Sequence, residues 1–196
     1  MVNKLIRIDP DLNCIVKEFG YPPLWNREPG FATLVHIILE QQVSLASAAA
    51  AFNKLKTASN EITPSSFLLF NDNELKTIGF SRQKTVYCRI LAESILNGKL
   101  DLESLQKSSD GEVGRILTEL KGIGRWTSDI YLLMVLLRPD IWPKGDIALA
   151  AAYGRLKQIP KRPNQNDLET IAEKWKPLRS VAARLLWHYY LSKKTG

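Results

Sequence analysis

Apolar residues recur along this chain at helical spacing and almost nowhere alternate. From Phe31 the positions Leu34, Val35, Ile37 and Ile38 mark one side of a helix that reaches Gln41-Gln42. Val86, Ile90, Leu91 and Ile95 do the same in a longer helix, opened by Ser81 and stopped by Gly98. Asp9-Pro10 supplies a cap and a proline at the first helical position, for a segment that runs to Gly20. Ser44 caps a helix through residues 46–52, and Thr63-Pro64 and Asp72 start two short ones, the second ended by Gly79. Asp101 and Asp110 cap two more, the latter running into Gly122. Residues 125–137 are apolar almost all round after Asp129, the pattern of a central buried helix. After a connection rich in breakers, Asp146 caps residues 147–156, Asp167 caps 168–175, and Pro177 begins a final helix. No segment reads as a strand, so the expected fold class is all-α.

Within this pattern the stretch Leu120-Lys121-Gly122-Ile123-Gly124-Arg125-Trp126-Thr127 stands apart, because two glycines flank one isoleucine between two helices. Glycine permits positive φ and close backbone approach, and amides at the start of the second helix form an anion site aided by the helix dipole. The turn Ile78-Gly79-Phe80-Ser81 is similar but lacks the second glycine, and reads equally as an ordinary helix stop. A helix over 125–137 spans roughly 20 Å, and the connection 138–145 can stretch to about 27 Å. The spacing therefore permits Asp146 to sit beside the glycine turn. Aspartate before an apolar helix is a common N-cap. That role is compatible with a second one, since an ionised carboxylate can stabilise positive charge developing on a sugar. Trp126 and Trp187, the latter followed by His188, Tyr189 and Tyr190, are either core residues or aromatic faces for a flipped base.

Composition narrows the chemistry. The net charge is +7, which favours a polyanionic partner. The two cysteines, Cys14 and Cys88, have no C-x-x-C pairing, which argues against a disulfide framework, a structural zinc site or a four-cysteine iron–sulfur cluster. The start of the chain has no apolar run of signal-peptide length, and no stretch reaches the length of a membrane span. The expectation is a reduced, intracellular, soluble protein.

These residues resemble a known family. Residues 120–127, followed by Pro143-Lys144-Gly145-Asp146, look like the helix–hairpin–helix DNA glycosylase superfamily, and most like its alkylbase branch of 3-methyladenine DNA glycosylase II type. The match extends through Phe31-Ala32-Thr33-Leu34-Val35, Glu40-Gln41-Gln42-Val43-Ser44, Gly79-Phe80-Ser81-Arg82-Gln83-Lys84 and Trp175-Lys176-Pro177-Leu178-Arg179-Ser180, with Trp187 beyond. The resemblance implies a bilobal helical fold with DNA in the cleft between the lobes. Residues 30–110 would form one lobe, and 1–29 plus 111–196 the other, containing the hairpin. It implies a monomer acting on double-stranded DNA that contains damaged bases, with no membrane partner, located inside the cell with DNA, in cytoplasm and nucleoid or in a nucleus.

Residue by residue, the resemblance makes Asp146 the catalytic aspartate and Gly122, Ile123 and Gly124 the phosphate-holding hairpin. It lines the base pocket with Trp126 and Trp187 and makes Gln42 the side chain that fills the gap left by the flipped base. A monovalent cation at hairpin carbonyls near Gly122 and Gly124 belongs to the same family pattern; no other metal or cofactor is expected. Arg82, Lys84 and Arg125, with Arg179, are expected to attract DNA phosphates.

The sequence departs from the pattern in two places. Bifunctional branches carry a lysine nucleophile where this chain has Trp126, so Schiff-base chemistry is not expected, although Lys121 and Lys144 flank the site. The pocket tyrosine of some relatives falls on Ile130, with Tyr131 adjacent. The expected activity is monofunctional hydrolysis of the N-glycosidic bond of alkylated purines of the 3-methyladenine and 7-methylguanine type, giving free base and an abasic site. The alternatives are a non-catalytic hairpin module and a glycosylase for another lesion, such as uracil or a mismatched base.

Overall fold

The structure is a computed structural model and describes residues 1–193. Every regular element among them is helical. The chain divides into two compact units, one of Met1–Asn26 with Leu132–Gly196 and the other of Arg27–Tyr131.

The first unit opens with α1 (Val2–Ile8) and α2 (Pro10–Phe19). Asp9 caps α2, its Oδ1 accepting from the backbone of Asp11 and Leu12. Its Oδ2 accepts from the Trp175 indole at 2.7 Å and faces Lys174 Nζ at 2.9 Å. Burial pushes the Asp9 carboxyl up, but the Lys174, Trp175 and Leu12 donors outweigh it and hold its pKa below the ordinary value.

The chain then builds the second unit: α3 (Phe31–Glu40), α4 (Leu45–Ala58), α5 (Pro64–Leu68), α6 (Asp72–Ile78), α7 (Arg82–Leu96), α8 (Leu102–Lys107), α9 (Asp110–Thr118) and α10 (Arg125–Ile130). Its core is α3, which buries Phe31, Leu34, Val35, Ile37, Ile38 and Leu39. Around it lie α4, α7 and α10. After α10 the helix continues as a π-helical segment, Tyr131–Val135, which returns the chain to the first unit.

There α11 (Ile147–Leu156), α12 (Gln165–Ala172) and α13 (Arg179–Ser192) complete the fold, with a 3-10 turn at Glu173–Trp175. The centre of this unit is α13, in which every residue from Ser180 to Trp187 is buried. It packs on α11, α2 and α1. Its buried charge, Arg184, is satisfied by backbone: Nε donates to Leu24 O at 2.8 Å and Nη2 to Leu133 O at 2.6 Å.

Several expectations shift. The helix expected over 125–137 is α-helical only to Ile130; its far end closes with Leu137 at φ +54° and a wide turn in which Arg138 N–H reaches Leu132 O. Two caps move to nearby residues of equal capping chemistry: Ser109 rather than Asp110 caps α9, and Asn164 rather than Asp167 caps α12. The helix α6 starts at Asp72 as expected, with Asn71 as its cap. In α6 and α12 the helix then gains a capping box, because Glu74 and Asp167 reach back from the third position. The final helix starts at Arg179 instead of Pro177. The lobe boundary also moves. Residues 111–131, expected with the chain ends, belong to the second unit. The reason is local: α10 packs on α9 and on α3, and the end of α3 is hydrogen-bonded to the hairpin.

Candidate active site

The candidate residues form two groups, one on each unit. On the second unit the hairpin joins α9 to α10. Ile123 is its buried plug, and Ile123 N–H closes the turn on Leu120 O at 3.0 Å. Gly122 sits at φ +98°, and a Cβ there would lie 2.1 Å from the Tyr87 ring of α7. Glycine is therefore demanded twice, by conformation and by space. Gly124, exposed, is the N-cap of α10, and no side chain caps that helix. The first-turn amides of such a helix suit an external anion. Arg125 is 71% exposed, with its Nε held at 2.8 Å by Asp129, which is 2% exposed. A buried carboxylate thus holds a guanidinium at the mouth of the turn. Trp126 follows, half-buried.

The turn after α3 carries Gln42, exposed and at φ +57°. That is a costly conformation for a residue with a Cβ. Its neighbour Gln41, which sequence reasoning passed over, donates from Nε2 to Gly122 O and to Thr127 Oγ1, each at 2.9 Å. Lys84 has a task inside the protein: Nζ donates to Leu39 O at 2.7 Å and Gln41 O at 2.9 Å, closing the end of α3. Burial lowers its pKa. Arg82, on the first turn of α7, is exposed.

Ile130, where the pocket tyrosine of some relatives falls, and the adjacent Tyr131, both candidates for the base pocket, are buried at 2% and 0% exposure. Burial pushes the Tyr131 phenol up to about 12, and its hydroxyl has no hydrogen-bond partner. Two carbonyls of the hairpin already accept one hydrogen bond each from within the protein. Gly122 O accepts from Gln41 and Gly124 O from Ser128 N–H.

On the first unit Asp146 is the N-cap of α11. Its Oδ1 accepts from Leu149 N–H at 2.9 Å and from the Trp187 indole N–H at 3.2 Å. Trp187 is 8% exposed, so its ring is largely core and its N–H fixes the carboxylate. The connection leading to Asp146 is tied to the start of α13. Ser180 Oγ donates to Arg138 O and accepts from Ile141 N–H, and Arg179 binds both carboxylate oxygens of Asp140. Arg179 is thus engaged in the fold. Lys144 places its ammonium 2.8 Å from Glu169. A cavity of about 250 Å³ opens beside Asp146, lined by Trp142, Ile147, Arg162 and Gln165 among others, while Trp187 does not line it. Among the described residues no group of three or more His, Cys, Asp or Glu could hold a metal ion, and no helix is long and apolar enough to cross a membrane.

The chain is 30% identical over 188 residues to a DNA-3-methyladenine glycosylase of Schizosaccharomyces pombe, covering 92% of this chain and 82% of that protein. An alkylbase DNA glycosidase-like protein from the same yeast is 29% identical over 191 residues, covering 93% and 89%. Among solved structures, an S. pombe 3-methyladenine DNA glycosylase in complex with abasic DNA superposes with a TM-score of 0.87 at 28% identity, covering 95% of this chain and 92% of that one. Residues 35–177 match the family described as HhH-GPD superfamily base excision DNA repair protein. With an uncapped glycine hairpin and an anchored aspartate already evident in its structure, this chain belongs to the HhH-GPD superfamily of base excision DNA repair proteins.

Proposed function

We propose that this protein is a monofunctional DNA glycosylase that hydrolyses the N-glycosidic bond of alkylated purines in duplex DNA, of the 3-methyladenine and 7-methylguanine type, inside the cell where the DNA is. The observation that carries this reading is the Asp146 carboxylate, fixed through Oδ1 by Leu149 N–H and the Trp187 indole. The Leu149 bond is the ordinary cap of α11, and the Trp187 indole is a second donor that capping does not require. The names of the relatives support the substrate class, and the solved yeast relative holds abasic DNA, the product expected of such a reaction.

The division of labour follows from the residues. On the second unit Gly122, Ile123 and Gly124 hold a backbone phosphate and Arg125 and Arg82 add charge. Gln42 fills the vacated stack and Trp126 offers a ring face to a cationic base. On the first unit Asp146 faces the sugar. Alkylation at a ring nitrogen makes the purine cationic, so the C1′–N bond breaks with its electron pair leaving on a base that becomes neutral. Positive charge develops at C1′, where Asp146 stabilises it, and water adds there and loses one proton to solvent. Trp126 stands where a lysine nucleophile would be needed for lyase chemistry.

Asp146→Asn tests this reading. Asparagine still caps α11, so the fold is kept. Base release should fall by about a thousandfold, an oxyanion-hole-sized electrostatic loss, while binding to abasic DNA stays close to that of the unsubstituted protein. Release near the unsubstituted rate would overturn the assignment.

A further inference from the structure

The turn that carries Gln42 is not an independent loop. Gln41 Nε2 divides its two protons between Gly122 O and Thr127 Oγ1, each at 2.9 Å, across 81 and 86 residues of sequence. Thr127 is 1% exposed, so one of these bonds ends on a buried residue of α10. The other accepts on the glycine whose positive φ shapes the hairpin. The main chain of the same residue is held from a second side, because Lys84 Nζ donates to Gln41 O and Leu39 O. Between these two ties and Ser44, which caps α4, the chain must turn sharply, and Gln42 takes up that turn at φ +57° with its side chain outward.

We propose that Gln41 is a positioning residue that locks the Gln42 turn to the hairpin. The side chain that fills the gap in the base stack is thereby held at a fixed offset from the amides that hold the phosphate. The hairpin keeps its own supports, the Tyr87 ring under Gly122 and the buried Ile123, so it does not depend on Gln41 for its shape. Gln41 therefore contributes to recognition of a disrupted stack more than to general grip on DNA. This rests on the reading of Gln42 as the gap-filling side chain.

The test is a double-mutant cycle on the full chain, with Kd measured for an abasic-site duplex and for the same duplex undamaged. Gln41→Ala should lower the preference for abasic over undamaged DNA about tenfold and leave undamaged binding within about twofold, matching Gln42→Ala. The double variant should be no worse than Gln42→Ala alone, because Gln41 acts through Gln42. Lys84→Met, which releases the other tie, should lower the same preference. Thermal melting identifies the variants that retain the fold, and Lys84→Met carries the test if Gln41→Ala does not. Additive losses, or equal losses on both duplexes, would make Gln41 a structural residue and overturn the proposal. If Gln42→Ala keeps full preference, the gap-filling reading fails and the proposal with it. If Gln42→Ala loses preference and Gln41→Ala does not, the proposal fails alone.

Discussion

Two glycine turns of the second unit join helices in the same way on paper and differ in what they leave open. At Gly79 the chain leaves α6 with φ +120°, and its ends are closed from within. Gly79 N–H and Phe80 N–H return to Leu75 O, and Ser81 Oγ accepts from Lys84 N–H to cap α7. At Gly122 the chain leaves α9 with φ +98°, yet the following helix starts at Gly124 with no side-chain cap. One turn uses its own hydroxyl where the other uses none. A helix start that its own sequence does not cap is suited to an outside acceptor, and under the proposed function that difference separates a phosphate grip from a helix stop.

The largest expected contrast comes from the glycines themselves. Gly122→Ala drives a Cβ into the Tyr87 ring at positive φ, which should cost about 3 kcal/mol of stability from overpacking plus backbone strain. In the protein that still folds, affinity for duplex DNA should fall roughly tenfold, about 1.4 kcal/mol. Gly79→Ala meets Ala51 of α4, its Cβ at 3.1 Å and its Cα at 3.8 Å. It should cost about 1–2 kcal/mol from the positive φ and leave DNA affinity unchanged. Melting curves and fluorescence-anisotropy titrations read both quantities. Similar affinity losses at the two glycines would erase the distinction between the turns.

A smaller and cleaner contrast lies at the caps. Gly124 has φ −90°, and an added Cβ meets nothing within 4 Å, so Gly124→Ser fits and supplies the missing cap. It should raise stability by a few tenths of a kcal/mol while weakening DNA binding severalfold, because the serine hydroxyl competes with phosphate for the same amides. Ser81→Ala should do the reverse, costing about 1 kcal/mol of stability with DNA binding intact. A Gly124→Ser protein that binds DNA as tightly as the original would contradict the role given to the open helix start.

The contrast also shows what a sequence can carry. The helices, their all-α packing class and the special turn were legible, because periodic apolar positions and a glycine pair are local signals. Cap identity was not, since Ser109 and Asp110, or Asn164 and Asp167, are chemically interchangeable and backbone position alone decides between them. Charge partners were hidden for a different reason. Lys84 and Arg179 read as phosphate contacts, yet their partners are Leu39 O, Gln41 O and Asp140, groups remote in sequence. Gln41 and Gln42 are adjacent and identical in type, and one positive φ sends the second outward while the first turns to the hairpin. The aromatic pocket was the least legible part. Trp187 is an indole donor to Asp146, and Tyr131 is sealed in the core.

The most direct measurement is to incubate the protein with methylated duplex DNA and identify what leaves the DNA, with borohydride present in a parallel reaction. The expected result is free N-methylpurine and a strand that stays intact until alkali cuts the abasic sites, with no protein trapped on DNA by borohydride. Duplex binding with no base released, or a borohydride-trapped adduct, would contradict hydrolysis at Asp146.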